Sequence, residues 1–322
     1  MINGTGFSGV TSVQFGATNA ASFTVDSATR ITATSPAGSA GTVDIRVTAT
    51  GGTSATGAAD QFTYLAAPSI SAVSPGSGPS AGGTTVVLSG GQFVGVSAVK
   101  FGASNATSFT VNSPTQITAT APAGAPGTVN LTVTAAGGTS TPSASDQFTY
   151  VAAPALTSVA PASGPLTGGT SVTLTGTGFT GATAVKFGAV SATGFTVNSA
   201  TQITATAPAG AAGSVDITVT APGGTSATHA NARFTYAGAP SVLSLAPASG
   251  PLAGGTSVVL TGTGFTGASA VKFGGTNATS FTVDSATRIT ATAPAGTAGS
   301  VNALLTTPGG TSPADTANQF TY

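Results

Sequence analysis

One string organises the whole chain. Phe-Thr-Tyr occurs at Phe62–Tyr64, Phe148–Tyr150, Phe234–Tyr236 and Phe320–Tyr322, always 86 residues apart. The Phe-Gly steps at Phe15, Phe101, Phe187 and Phe273 keep the same period, and so do Pro68, Pro154 and Pro240. The complete units are therefore 65–150, 151–236 and 237–322. The first unit occupies only 1–64, and Met1 aligns with Val87, so the counterparts of the preceding 22 residues are absent from it. A period this long exceeds the ~20–50 residues of a stacked solenoid. It is the size of a small self-sufficient domain, so the sequence predicts an array of separate domains.

Within a unit the apolar residues recur every second position. In the third unit Thr170–Thr175, Ala184–Phe187, Gly194–Val197, Gln202–Thr206, Ser214–Thr220 and Arg233–Tyr236 all alternate, separated by Gly, Pro and Asn. Period-two segments of this length with such breakers predict short antiparallel strands. No window has the three-and-four spacing of a helix. About seven strands in each unit predict a two-sheet sandwich. Pro161 and Pro165, with Pro75/Pro79 and Pro247/Pro251 at the same places, flank the opening segment. Proline cannot donate to a ladder, so that segment is an edge strand or a switch between sheets. Gly168-Gly169 turns the chain into the next strand.

Composition narrows the function. Charged residues are 4% of the chain, with seven Lys+Arg against seven Asp and no Glu. A neutral surface gives no electrostatic reason to bind nucleic acid or acidic membrane. There is no cysteine, so neither disulfides nor thiolates are in play. No run of about 18 apolar residues offers membrane insertion. Met1-Ile2-Asn3-Gly4 has neither the basic nor the apolar part of a signal peptide. The expectation is an intracellular protein or a piece of something longer.

Seven motifs then converge. In the third unit they are Pro161–Pro165, Gly168–Thr170, Gly176–Phe179, Val185–Gly188, Pro208–Gly210, Val215–Val219 and Phe234–Tyr236. Together they resemble the IPT/TIG domain (immunoglobulin-like, plexin, transcription factor), and the match covers the whole chain. The resemblance implies all-β, tandem immunoglobulin-like β-sandwiches of about seven strands each. It implies no single function, since the family includes DNA-binding modules, receptor ectodomain modules, accessory domains of starch-acting enzymes and arrays in large bacterial surface proteins. The low charge and the Ala/Thr/Ser/Gly surface are most similar to the last group.

Residues able to do chemistry are few. All 16 Phe fall at four repeated positions, Phe7, Phe15, Phe23 and Phe62 in the first unit, and all four Tyr lie in Phe-Thr-Tyr. Each aromatic is thus predicted to be core, leaving none to stack on a sugar or a base. His229 is the lone histidine; its equivalents Gly57, Ser143 and Asp315 mark a solvated loop. No base stands by any serine, and no carboxylates are paired. Gly262-Thr-Gly-Phe-Thr-Gly267 has GxG spacing but opens no helix, so it is read as a turn. Asn105, Asn130 and Asn277 begin N-glycosylation patterns that a Thr-rich chain produces by chance. The chain is accordingly expected to have no catalytic, cofactor-binding or metal-binding residues, no cofactor, and not to be an enzyme.

Two departures between units carry information. Asp26 goes with Arg30 and Asp284 with Arg288, whereas Asn112 goes with Gln116 and Asn198 with Gln202. The paired change predicts contact across a turn, or recent common ancestry of units one and four. In the fourth unit Ala303 takes the inward place of Ile217, and Leu304 the outward place of Thr218. Leu304 is therefore the one candidate interface residue.

These readings predict a segment of an extracellular bacterial surface protein, serving as stalk, spacer or fibre body. Linkers such as Val151-Ala152-Ala153 are short, which predicts an extended rod. The alternatives are an adhesive or ligand-binding module using interstrand loops, an accessory region of a polysaccharide enzyme, and a filament subunit whose first domain is completed by a neighbour. Expected partners are other domains or subunits of the same protein, with a surface receptor or glycan as a further candidate.

Overall fold

A computed structural model describes residues 1–322. The backbone forms two compact units, Met1–Val151 and Ala152–Tyr322. Each contains two copies of the repeat, and the third copy shows the pattern.

Its first sheet has four strands in the order Ala155–Ala160, Ser171–Thr177, Gln202–Thr206, Gly194–Ser199, all antiparallel. The second runs Ser163–Pro165, Arg233–Ala237, Gly213–Ala221, Ala184–Phe187, Val190–Ser191, with Gly224–Thr225 also on Gly213–Ala221. The proline-flanked opening is thus both an edge and a switch. Ala155–Ala160 pairs antiparallel in one sheet; beyond the cis peptide Ala160–Pro161, Ser163–Pro165 pairs parallel with Thr235–Ala237 in the other. Gly168 then turns at φ +73, where a Cβ would run into the backbone of Pro208 and Ala209. Only glycine meets both demands.

The core lies between the sheets. Val172, Leu174, Ile203, Ile217, Val219, Phe179 and Phe234 are fully buried, with Val185 and Phe187 nearly so, while Lys186 faces solvent. The alternation is therefore that of a pleated strand with one dry face. Phe187 meets Phe234 edge-on at 5.3 Å, and Phe234 meets Tyr236 edge-on at 5.0 Å. The same two contacts occur in every copy. Three of the four repeated Phe positions are buried in the core of the second, third and fourth copies; in the first, Phe62 is half-buried. The fourth, Phe23, Phe109, Phe195 and Phe281, is only half-buried, because it sits on the edge strand of the first sheet. The expectation that every aromatic is core is corrected there.

The exclusion of helix needs one amendment. Short 3-10 turns stand at Ala58–Asp60, Ala144–Asp146 and Thr316–Asn318, just before the last strand. Three residues are too few to show a period.

Candidate functional site

The side chains that could do chemistry are dispersed. The ion pairs are Arg30–Asp26 at 3.2 Å, Arg233–Asp216 at 2.9 Å and Arg288–Asp284 at 3.3 Å, each at the surface. No three His, Cys, Asp or Glu residues come together as metal ligands would. His229 is exposed, and its Nδ1 accepts a hydrogen bond from the Asn231 N–H at 3.2 Å. That is a capping contact. Ser143 Oγ accepts from Ser145 N–H, and Asp315 Oδ1 from Ala317 N–H, at the same place in their copies. Unlike residues share one role there, supplying an acceptor to a turn. The Ala317 N–H and the Thr316 hydroxyl on Asp315 also hold its carboxyl below the ordinary carboxylate range.

The covarying positions do touch. Asp26 Oδ2 accepts from Thr32 Oγ1 at 2.7 Å and from Arg30 Nε at 3.2 Å. In the neutral copies Asn112 Nδ2 donates to Thr118 Oγ1 and Gln116 Oε1, and Asn198 Nδ2 to Thr204 Oγ1 and Gln202 Oε1. The whole arrangement clamps a bulged hairpin. Hydrogen bonds from Thr32 first, then Arg30, lower the pKa of Asp26 below its ordinary value of 3.8.

Leu304 is half-buried rather than fully exposed, standing opposite Lys272 in the ladder. Ala303 is inward and fully buried as read from the sequence.

Two buried features were not read from the sequence. Ser140, Ser226 and Ser312 turn inward, and each Oγ accepts the N–H of Val133, Val219 or Leu305 at 3.0 Å. The fourfold Gly-Gly-Thr-Ser string was their signal. Tyr236 and Tyr322 donate their hydroxyls to the carbonyls of Pro208 and Pro294 at 2.9 Å. Burial raises the pKa values of Tyr150, Tyr236 and Tyr322 above 10.0.

Cavities are modest. One of about 260 Å³ in the third copy is lined mainly by Gly and Ala beside Phe187 and Tyr236. An open cleft of about 780 Å³ on the first copy is polar, with Gln14, Asp44, Arg46 and Gln61. The third also lies on the first copy. It measures about 540 Å³ and is lined by Ile2, Phe7, Ile45, Val47 and Phe62, of which Phe7 and Val47 are buried.

Consecutive sandwiches, each with its own dry core and a neutral hydroxyl-rich exterior, define a tandem immunoglobulin-like repeat protein. The family model for the IPT/TIG domain matches residues 1–64, 68–150, 154–236 and 240–322, and the chain belongs to that family. A search of curated proteins finds no match. Among solved structures, the plexin A4 extracellular region is similar at 21% identity and TM-score 0.36, over 76% of this chain and 23% of that one. The SGBP-B protein of a Bacteroides ovatus mixed-linkage glucan utilization locus is 19% identical with TM-score 0.25, over 76% of this chain and 63% of that one. The Escherichia coli adhesin FdeC is 16% identical with TM-score 0.24, over 79% of this chain and 95% of that one. The chain thus spans less than two thirds of the first two. No helix is long and apolar enough to cross a membrane.

Proposed function

We propose that these domains form a structural segment, a stalk or spacer, of an extracellular bacterial surface protein, and that they perform no catalysis. The observation that carries this reading is where the aromatic and reactive side chains go. Every Tyr and three of the four repeated Phe positions pack into the sandwiches, and the polar groups are spent on turns and cross-strand hydroxyl pairs. Thr134–Thr139, Thr220–Thr225 and Thr306–Thr311 are such pairs, each within 3.0 Å. Hydroxyls hydrate a surface without charge, which suits a segment that must stay soluble and pass its neighbours by.

The test is an in-frame deletion of residues 151–236 from the protein that carries them. A spacer loses length and keeps its other properties. Loss of binding to cells, glycans or matrix proteins on that deletion would instead make the third copy a binding module and sink the proposal.

A further inference from the structure

We propose that the outer face of the second sheet binds an acidic polysaccharide, a chain of sugars bearing carboxylates, and that one unpaired cation in each copy makes the contact. The charges of the chain divide cleanly. Of the seven Lys and Arg, Arg30, Arg233 and Arg288 are held in ion pairs by Asp26, Asp216 and Asp284. Three further Asp serve turns: Asp60 and Asp146 accept the N–H of Gly57 and Ser143, and Asp315 accepts that of Ala317. The cations that remain are Arg46, Lys100, Lys186 and Lys272, all exposed and none in an ion pair. Asp44 is the one Asp outside these roles. A formally neutral chain thus presents one free cation per copy.

The four occupy one place in the fold. Each Lys is the middle member of a row across three strands: Asn105–Lys100–Thr132, Ser191–Lys186–Thr218 and Asn277–Lys272–Leu304. In the first copy the row reads Asn19–Gln14–Arg46, so the cation moves one strand across and stays in the row. Gln14 shows that the Lys position accepts an uncharged residue, and Thr218 shows the same for the Arg position. Packing therefore does not demand the cation; what the rows share is charge at one spot. The strand fixes its direction, because Val185 and Phe187 point inward and Lys186 between them must point out.

The partner follows from the chemistry of the row. A lone surface cation gains little from a lone anion, so a site repeated in every copy favours a ligand that repeats its anion. Nucleic acid and anionic membrane reward clustered cations, and one cation per 86-residue period is too sparse for either. Around each cation stand neutral groups such as Asn105, Thr132, Ser191, Thr218 and Asn277, whose amides and hydroxyls donate to and accept from sugar hydroxyls. A polyuronate sets carboxylates among hydroxyls and so answers both halves of the row, with no need of an aromatic platform. In the first copy the open cleft of about 780 Å³ lies on this face beside Gln14 and Arg46, with room for a sugar ring at the guanidinium.

The experiment titrates the 322-residue chain with polygalacturonate and, in parallel, with neutral dextran, duplex DNA and phosphatidylglycerol vesicles. Polygalacturonate should bind best, and its affinity should fall as salt rises from about 50 to about 200 mM. Changing Arg46, Lys100, Lys186 and Lys272 together to Gln should weaken binding at least ~10-fold, with thermal unfolding unchanged because all four are exposed. Changing the paired Arg30 and Arg288 to Gln should leave binding as it was. No binding of polygalacturonate, equal binding of dextran, tighter binding of DNA or vesicles, or equal loss in the Arg30/Arg288 variant would overturn the proposal. The inference goes beyond the spacer reading and can fail without it. Deleting residues 151–236 removes Lys186 alone, so polyuronate binding should weaken and persist.

Discussion

Phe187 shows how much one side chain can carry. It is 2% exposed, stacks edge-on against Phe234 and lies beside Val185 in the same core. Phe187→Ala removes those contacts and leaves a cavity that flanking strands cannot close, which should cost ~3–5 kcal/mol. Calorimetry should show the third copy's transition falling while the others hold. The reading of Val185-Lys186-Phe187 as in-out-in was available from alternation alone, because a pleated strand makes orientation a local property. Asp26 is the opposite kind of residue, exposed and held by hydrogen bonds. Its folded-state pKa is below 3.8, so its contribution is present above the unfolded pKa and is lost as pH falls through the folded one. Thr32 is the leading cause. Thr32→Val should therefore raise the carboxyl titration midpoint of Asp26, followed by NMR, more than Arg30→Gln does. A larger effect of Arg30→Gln would reverse that ranking.

At the scale of elements, the parts that escaped the sequence are those whose meaning is non-local. The parallel pairing of Ser163–Pro165 with Thr235–Ala237 joins residues about seventy positions apart, and no local pattern announces it. The short 3-10 turn hides for another reason: its cap is Gly57, Ser143 or Asp315, and the shared feature is an acceptor or a bare backbone rather than a residue type. Its last position matters more. Asn318 is buried and well satisfied, donating to the Pro313 carbonyl at 2.8 Å and accepting from the Asp315 N–H. Asp146 stands in the same place, accepts from the Ser143 N–H at 2.6 Å, and leaves its Oδ1 buried without a partner. An unpaired buried polar atom costs stability, and an amide there can donate where a carboxylate cannot. Asp146→Asn should stabilise the second copy by ~1 kcal/mol. Thermal unfolding of the excised copy measures this, and a destabilised variant would mean that the carboxylate has a partner of its own.

Across residues 1–322 the copies differ in how much core they bury. Each complete copy buries its core within its own 86-residue period, from the opening strand to Phe-Thr-Tyr. The first has five buried core residues and a longer half-buried fringe that includes Ile45, Phe62 and Tyr64. Apolar area left in water forfeits about 25 cal/mol per Å². The first copy should therefore unfold separately and at the lowest temperature of the four. Proteolysis followed by mass spectrometry should clear residues 1–64 first and leave a resistant fragment beginning near Leu65. Simultaneous loss of all four copies would show that stability is shared across the linkers rather than held within each sandwich. Ordered loss, with the first copy going first, would place the weakness within that copy's own core.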